Sequence, residues 1–287
     1  MTQQTTEWFQ ELCPEAGSAL RLQVTEPLHA EQSHYQKIEV YQTTHWGRLL
    51  VIDGLIMLTQ RDNFLYHEML AHPALFSHPA PRQVAIIGGG DCGTLLEVAK
   101  HPEVERIVQI DIDERVTRVA EQFFPELCAA NQDPRVELLF LDGIRWMEQA
   151  PPASLDLIIV DSTDPIGPGE ALFSPPFYAA CRRALRNPGL LVQQSESPLL
   201  HLPILQRMQR QLREAGFAAT RPLLFPQPSY TSGWWSATLA GNEGALELLR
   251  EAAAEARPFT THYYCPATHR AALALPPFLQ QQLAVVE

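Results

Sequence analysis

The stretch VAIIGGGDCG, residues 84–93, decides the fold. An apolar strand runs directly into glycines at 88, 90 and 93, which satisfy G-x-G-x-x-G. Glycines at that spacing permit a tight strand-to-helix turn and close backbone approach to a bound nucleotide or nucleoside. Working outward, more carboxylates stand at strand ends: Asp111 in IVQIDID, Asp142 in LLFLDG, and Asp161 and Asp164 in IIVDSTDPIGP. A parallel sheet presents the C-terminal ends of its strands along one crevice, where ligands bind. Acids at all of these ends describe a cleft for a ligand with an adenosine end and a cationic end.

The flanking pattern agrees with such a sheet. Apolar runs predict strands at 83–87, 105–111, 136–141, 155–161 and 190–194, alternating with helices at 93–100, 114–124, 144–149, 175–186 and 201–215. This rhythm predicts an α/β, methyltransferase-like (Rossmann-like) doubly wound sheet, mostly parallel and covered on both faces. Asn187-Pro188-Gly189 reads as a turn before the fifth strand, and further strands, one at 233–240, precede closing helices. The first seventy residues read instead as short strands at 20–25, 35–42, 47–52 and 55–59, with Asp53-Gly54 as a two-residue hairpin turn. Asp62-Asn63 supplies capping residues for a helix that Ser77-His78-Pro79-Ala80-Pro81 ends. The expected division is a small N-terminal β domain over 1–76 and a catalytic domain over 77–287.

Composition narrows the partners. The 287 residues include 21 basic and 33 acidic side chains, a net charge of −12, which disfavours a nucleic-acid partner. The polar start MTQQTTEWFQ lacks a secretory pattern, and no apolar run approaches the ~20 residues that span a bilayer. No membrane association is expected. Five scattered cysteines without a CxxC pair read as reduced thiols of a cytoplasmic protein, and no ligand spacing for a metal is evident.

Asp91 discriminates among nucleotide enzymes. A carboxylate inside the glycine loop repels a pyrophosphate and welcomes an ammonium, so a dinucleotide is disfavoured. Asp111, 18 residues past Gly93, stands near the position that binds ribose hydroxyls, although an acid at a strand end also serves as a simple cap. Asp142-Gly143 is placed to read an adenine amino group, a role compatible with capping the helix that follows. Asp161 and Asp164, three apart at the mouth of the sheet, suit ammonium groups.

Longer motifs extend the reading: HYQKIEVY at 34–41, GRLLVIDGLIMLTQRDNFLYHEM at 47–69, IIGGGDCG at 86–93, VQIDIDERV at 108–116 and IIVDSTDPIGP at 158–168. QSESPLLH at 194–201, YTSG at 230–233 and HRAALALPPF at 269–278 continue it. Through these the chain resembles the polyamine aminopropyltransferases over nearly its whole length. The resemblance implies transfer of an aminopropyl group from decarboxylated S-adenosylmethionine, as co-substrate and without a cofactor or metal, to putrescine. Spermidine and methylthioadenosine would be the products, and a homodimer or homotetramer the expected assembly.

Carried over by motif, Asp161 and Tyr66 would be catalytic and flank the attacking amine. Asp91 would hold the aminopropyl ammonium, Asp111 the ribose, and Asp142 with Gly143 the adenine, while Gln36 and His67 would also touch substrate. Asp164, Tyr230 and Glu196 would line the diamine channel. Asp91 and Asp161 together would repel the carboxylate of intact S-adenosylmethionine, so neutralising Asp91 is expected to narrow that discrimination. The chain departs from the usual pattern at Cys92, the fifth place of GGGDGG, at Asp111, more often glutamate, and at WFQELCPEAG, 8–17, which lacks the tryptophan that some members place near the far end of the diamine. Cadaverine, agmatine and spermidine therefore stay open as acceptors. Competing readings are an S-adenosylmethionine-dependent amine methyltransferase and a non-catalytic polyamine or nucleoside sensor.

Overall fold

Five N-terminal strands, β1 (Glu7–Cys13), β2 (Ser18–Gln32), β3 (Lys37–Thr43), β4 (Arg48–Ile52) and β5 (Leu55–Thr59), form one antiparallel sheet in sequential order. The computed structural model describes residues 7–163, 167–242, 244, 246 and 248–284. Asp53 and Gly54 both take positive φ, 49° and 85°, as a primed hairpin turn between β4 and β5 requires. β2 runs well past the expected 20–25, because Pro27 interrupts the apolar alternation without ending the strand. The register shifts on either side of Pro27 instead. β1 was invisible to periodicity: six of its seven residues are exposed or partly exposed.

The second sheet has seven strands: β6 (Gln83–Gly88), β7 (Arg106–Asp111), β8 (Val136–Phe140), β9 (Leu155–Asp161), β10 (Leu185–Gln194), β11 (Ala219–Pro226) and β12 (Trp234–Gly241). Their order is β11-β12-β10-β9-β6-β7-β8, parallel from β10 to β8 and antiparallel at β12 and β11. Both faces are buried, so alternate residues of one strand enter different cores. Leu157 and Ile159 of β9 join one cluster, Ile158 and Val160 the other.

Helices α1 (Asn63–Ser77) and α2 (Gly93–Ala99) lie on the first face, while α4 (Gly143–Gln149), α5 (Pro175–Ala184) and α6 (Leu202–Glu214) lie on the second. Helix α3 (Glu114–Phe123) packs Val116 and Val119 against Ile38, Val40 and Leu50, clamping the N-terminal sheet to the larger one. Short helices α7 (Glu251–Glu255), α8 (Pro266–Ala272) and α9 (Pro277–Ala284) close the chain. No helix among the described residues is long and apolar enough to cross a membrane.

Helix α1 packs its Met69, Leu70 and Leu75 into the core of the seven-stranded sheet. One local expectation changes. Asp62 flanks α1 but does not cap it with its side chain: one oxygen accepts from Thr59 Oγ1 at 2.6 Å and the other from the Ser229 backbone N–H at 2.8 Å. It ties the helix start to the β11–β12 connection.

Candidate active site

Strand order reverses between β6 and β9, and this switch point is where an open α/β sheet leaves room for a ligand. Gly88 ends β6 opposite Asp161 of β9. Its φ is +84°, and a Cβ there would lie 2.1 Å from the Asp161 carbonyl oxygen, so only glycine fits. The Gly89 N–H donates to that same carbonyl at 2.7 Å. Cys92, at the position where the resemblance has glycine, also takes a left-handed φ of 68° and is fully buried beside Gln109.

Around this loop the carboxylates differ in state. Asp161 is buried and accepts from Tyr66 Oη at 2.8 Å and Thr94 Oγ1 at 2.6 Å, one bond to each oxygen. Burial, reinforced by the charge of Asp91, pushes its pKa up to about 6. The Tyr66 hydroxyl, buried and facing Asp161, is held well above its ordinary pKa and stays a donor. Asp91 lies 3.3 Å from His67 Nε2 and accepts from the Gly93 N–H at 2.7 Å, both through Oδ1. Burial opposes ionisation of both partners, yet their mutual attraction wins: the His67 pKa is raised and that of Asp91 lowered. The pair is therefore an internal salt bridge.

Gly93 makes that bridge possible, since a Cβ on it would meet His67 Cε1 at 2.1 Å and Nδ1 at 2.2 Å. Gly93→Ala is expected to destabilise the protein by about 1–3 kcal/mol by overpacking a buried ring. It should also shift the His67 imidazole titration downward. A thermal melt with histidine NMR checks both, and an unchanged titration would contradict the assigned contact.

A cavity of about 420 Å³ opens beside the loop, lined by Gln36, Asp91, Asp111, Asp142, Gly143 and Asp161 among others and, among the described residues, by no lysine or arginine. Asp111 ends β7 and accepts from the Asp113 N–H at 2.8 Å, while burial raises its pKa to about 6. Gln36 is pinned by Asp113, which accepts from its Nε2 at 3.1 Å and also accepts from the Arg115 N–H at the start of α3. Asp142 does cap α4, accepting the Ile144 and Arg145 N–H groups on Oδ1.

A second cavity of about 390 Å³ shares Leu55, Met57, Tyr66, Ser162, Thr163 and Tyr230 with the first. Tyr230 donates its hydroxyl to the Met57 carbonyl at 2.8 Å, and Glu196 lies deeper, 1% exposed. Asp164 lies outside the described residues. The structure thus gathers every other expected site residue at or beside these two cavities. It adds Thr94 on Asp161, Asp113 behind Gln36, and Glu11 and His201 in the second cavity, none of which was singled out from sequence. Thr94 carried a usable signal, since it stands one residue past the glycine motif. Glu11 carried none, and His201 carried only its place at the end of QSESPLLH, 194–201. Among the described residues no group of three or more His, Cys, Asp or Glu is placed to hold a metal.

The strand order, with the glycine loop at its switch point, defines a methyltransferase-like fold with a ligand cleft at that point. Comparison with known proteins gives the family. Residues 63–249 match the spermine/spermidine synthase domain and residues 7–60 the spermidine synthase tetramerisation domain. A polyamine aminopropyltransferase of Methylococcus capsulatus is 60% identical over 277 residues, covering 96% of this chain and 97% of that one. Among solved structures, a spermidine synthase in complex with the transition-state analogue AdoDATO superposes with a TM-score of 0.94 at 32% identity, covering 99% of this chain and 97% of the other. The spermidine synthase of Thermotoga maritima gives 0.92 at 31% identity, covering 98% and 96%. The chain belongs to the spermine/spermidine synthase family, and is an enzyme of the polyamine aminopropyltransferase type.

Proposed function

We propose that the protein is a spermidine synthase, transferring the aminopropyl group of decarboxylated S-adenosylmethionine to putrescine. One observation carries this reading: Tyr66, hydrogen-bonded to Asp161, lines both cavities, so one acid–phenol pair stands between a nucleoside lobe and an amine lobe. In the first lobe Asp111 binds the ribose hydroxyls, Asp142 with the Gly143 backbone reads the adenine, and Gln36 adds a contact. Asp91, backed by His67, takes the aminopropyl ammonium. In the second lobe Glu196 and Tyr230 receive the diamine, and the resemblance by motif assigns Asp164 the same task.

The chemistry is an in-line displacement. The amine lone pair forms the new C–N bond as the C–S bond of the sulfonium breaks, and methylthioadenosine leaves as a neutral thioether. The positively charged sulfur already activates the leaving group. The nucleophile is the difficulty, because an aliphatic ammonium has a pKa near 10.4, about 6 units above an ordinary carboxylate. Asp161, at about 6, narrows that gap by roughly 2 units, on the order of 3 kcal/mol. It is therefore the proton acceptor, and orientation by the Tyr66–Asp161 pair contributes further.

The reading extends to assembly as a homodimer or homotetramer through the N-terminal sheet, whose β1 exposes Trp8 and Leu12. A cytoplasmic location accords with five cysteines that are all free thiols. Incubation with decarboxylated S-adenosylmethionine and putrescine tests the function: methylthioadenosine and spermidine should form in equal amounts. Nucleoside binding without turnover would favour the sensor reading instead.

A further inference from the structure

The second cavity ends in a charge arrangement that the transfer step does not use. Glu196 follows β10 in a left-handed backbone conformation, φ 67°, held by Ser236 Oγ donating to its carbonyl at 2.7 Å. Its carboxylate accepts from Gln194 Nε2 at 3.2 Å and lies 2.9 Å from His201 Nδ1. Glu11 of β1 is fixed nearby, accepting from Thr231 Oγ1 at 2.8 Å and from the Ile56 N–H at 2.6 Å. Among the described residues, the other charged ones lining this cavity, Glu15 and Arg207, are of opposite sign, and Glu15 is exposed.

His201 is charged at neutral pH: the Glu196 carboxylate, helped by the nearby Cys13, raises its pKa to about 9 against the pull of burial. Burial, with the charge of Glu196, raises the Glu11 pKa above the ordinary carboxylate value. With Glu11 ionised, the described residues of the inner end, two carboxylates and one imidazolium, carry one net negative charge. At about 390 Å³ the cavity is larger than a four-carbon diamine, so volume alone does not exclude a longer amine.

We infer that His201 is a specificity-determining residue, which limits the acceptor to one carrying a single distal ammonium by cancelling one of the two inner carboxylates. The inference rests on the aminopropyl-transfer reading above. A diamine attacks through one neutral amine and brings one cation, which the inner end balances. A triamine brings two cations and finds one uncompensated carboxylate among the described residues of the inner end, and a misfit of one charge in a partly desolvated site costs tenfold or more in kcat/KM.

The test measures kcat/KM for putrescine and for spermidine with decarboxylated S-adenosylmethionine in the unmodified enzyme, His201→Gln and His201→Lys. The unmodified enzyme should prefer the diamine by about tenfold or more. His201→Gln should raise the triamine-to-diamine ratio by about tenfold, while His201→Lys, which keeps a cation, should stay close to the unmodified ratio. An unchanged ratio in His201→Gln overturns the inference, as does the same shift in both variants, which would mark a steric role. Equal use of both amines by the unmodified enzyme overturns it without any variant. Failure of the unmodified enzyme to aminopropylate either amine overturns the underlying reading and this inference with it.

Discussion

Asp161→Asn lowers kcat by about 10²- to 10⁴-fold, the usual contribution of a positioned general base, and leaves nucleoside affinity within a few-fold of the original. The amide is isosteric, keeps an oxygen to accept from Tyr66 and turns its NH2 toward Thr94 Oγ1, which then accepts in place of donating, so the main loss is the ability to take a proton. The same substitution raises stability. The folded protein holds the Asp161 pKa at about 6, above its ordinary value, because burial and Asp91 disfavour the charge. A carboxyl raised in this way costs nothing below about pH 4, where both states are protonated. The cost grows as pH rises through 4 to 6 and is constant above, on the order of 3 kcal/mol. Melting curves of the two proteins should therefore converge near pH 4 and separate by several degrees at pH 7.5, with the variant higher. Near-normal turnover would remove Asp161 from the proton-transfer step, and a variant less stable at pH 7.5 would contradict its buried, strained charge.

Asp91→Asn is expected to weaken binding of decarboxylated S-adenosylmethionine by about 10- to 100-fold, the cost of losing a charge-assisted hydrogen bond. It should barely change discrimination against the carboxylate-bearing nucleoside, contrary to the simple expectation from four acids in one cleft. His67 is the reason. Asp91 and His67 form an ion pair, and once Asp91 is uncharged, burial draws the imidazole to its neutral form, so the substitution leaves the net charge of the site unchanged. The repulsion then falls to Asp161 and Asp111, and Asp161→Asn should narrow the discrimination more than Asp91→Asn does. Dissociation constants for the two nucleosides, with the His67 titration followed by NMR, check this. Collapse of the discrimination in Asp91→Asn, with His67 still charged, would refute it.

What could be read directly from the chain was local. A glycine loop following a strand and acids at strand ends are signals written within ten residues, and together they placed the switch-point cleft and its acidic lining. The His67–Asp91 bridge joins residues on α1 and the β6–α2 loop, and depends on the missing Cβ of Gly93, which no spacing rule expresses. The far end of the amine lobe is assembled from β1, the β10–α6 connection and the residues before β12, so His201 faces Cys13 across 188 positions. β1 itself gave no periodic signal because most of it is exposed. Asp62 was misread for the opposite reason: a good capping residue at a helix start is here used for tertiary contacts by both oxygens.

The central claim, aminopropyl transfer to a diamine, is tested most directly by mass spectrometry of the products formed from decarboxylated S-adenosylmethionine and an equimolar mixture of putrescine, cadaverine, agmatine and spermidine. The account predicts spermidine as the main aminopropylated product, with methylthioadenosine released one for one. A methylated amine, or bound nucleoside with no new C–N bond to any amine, would contradict it.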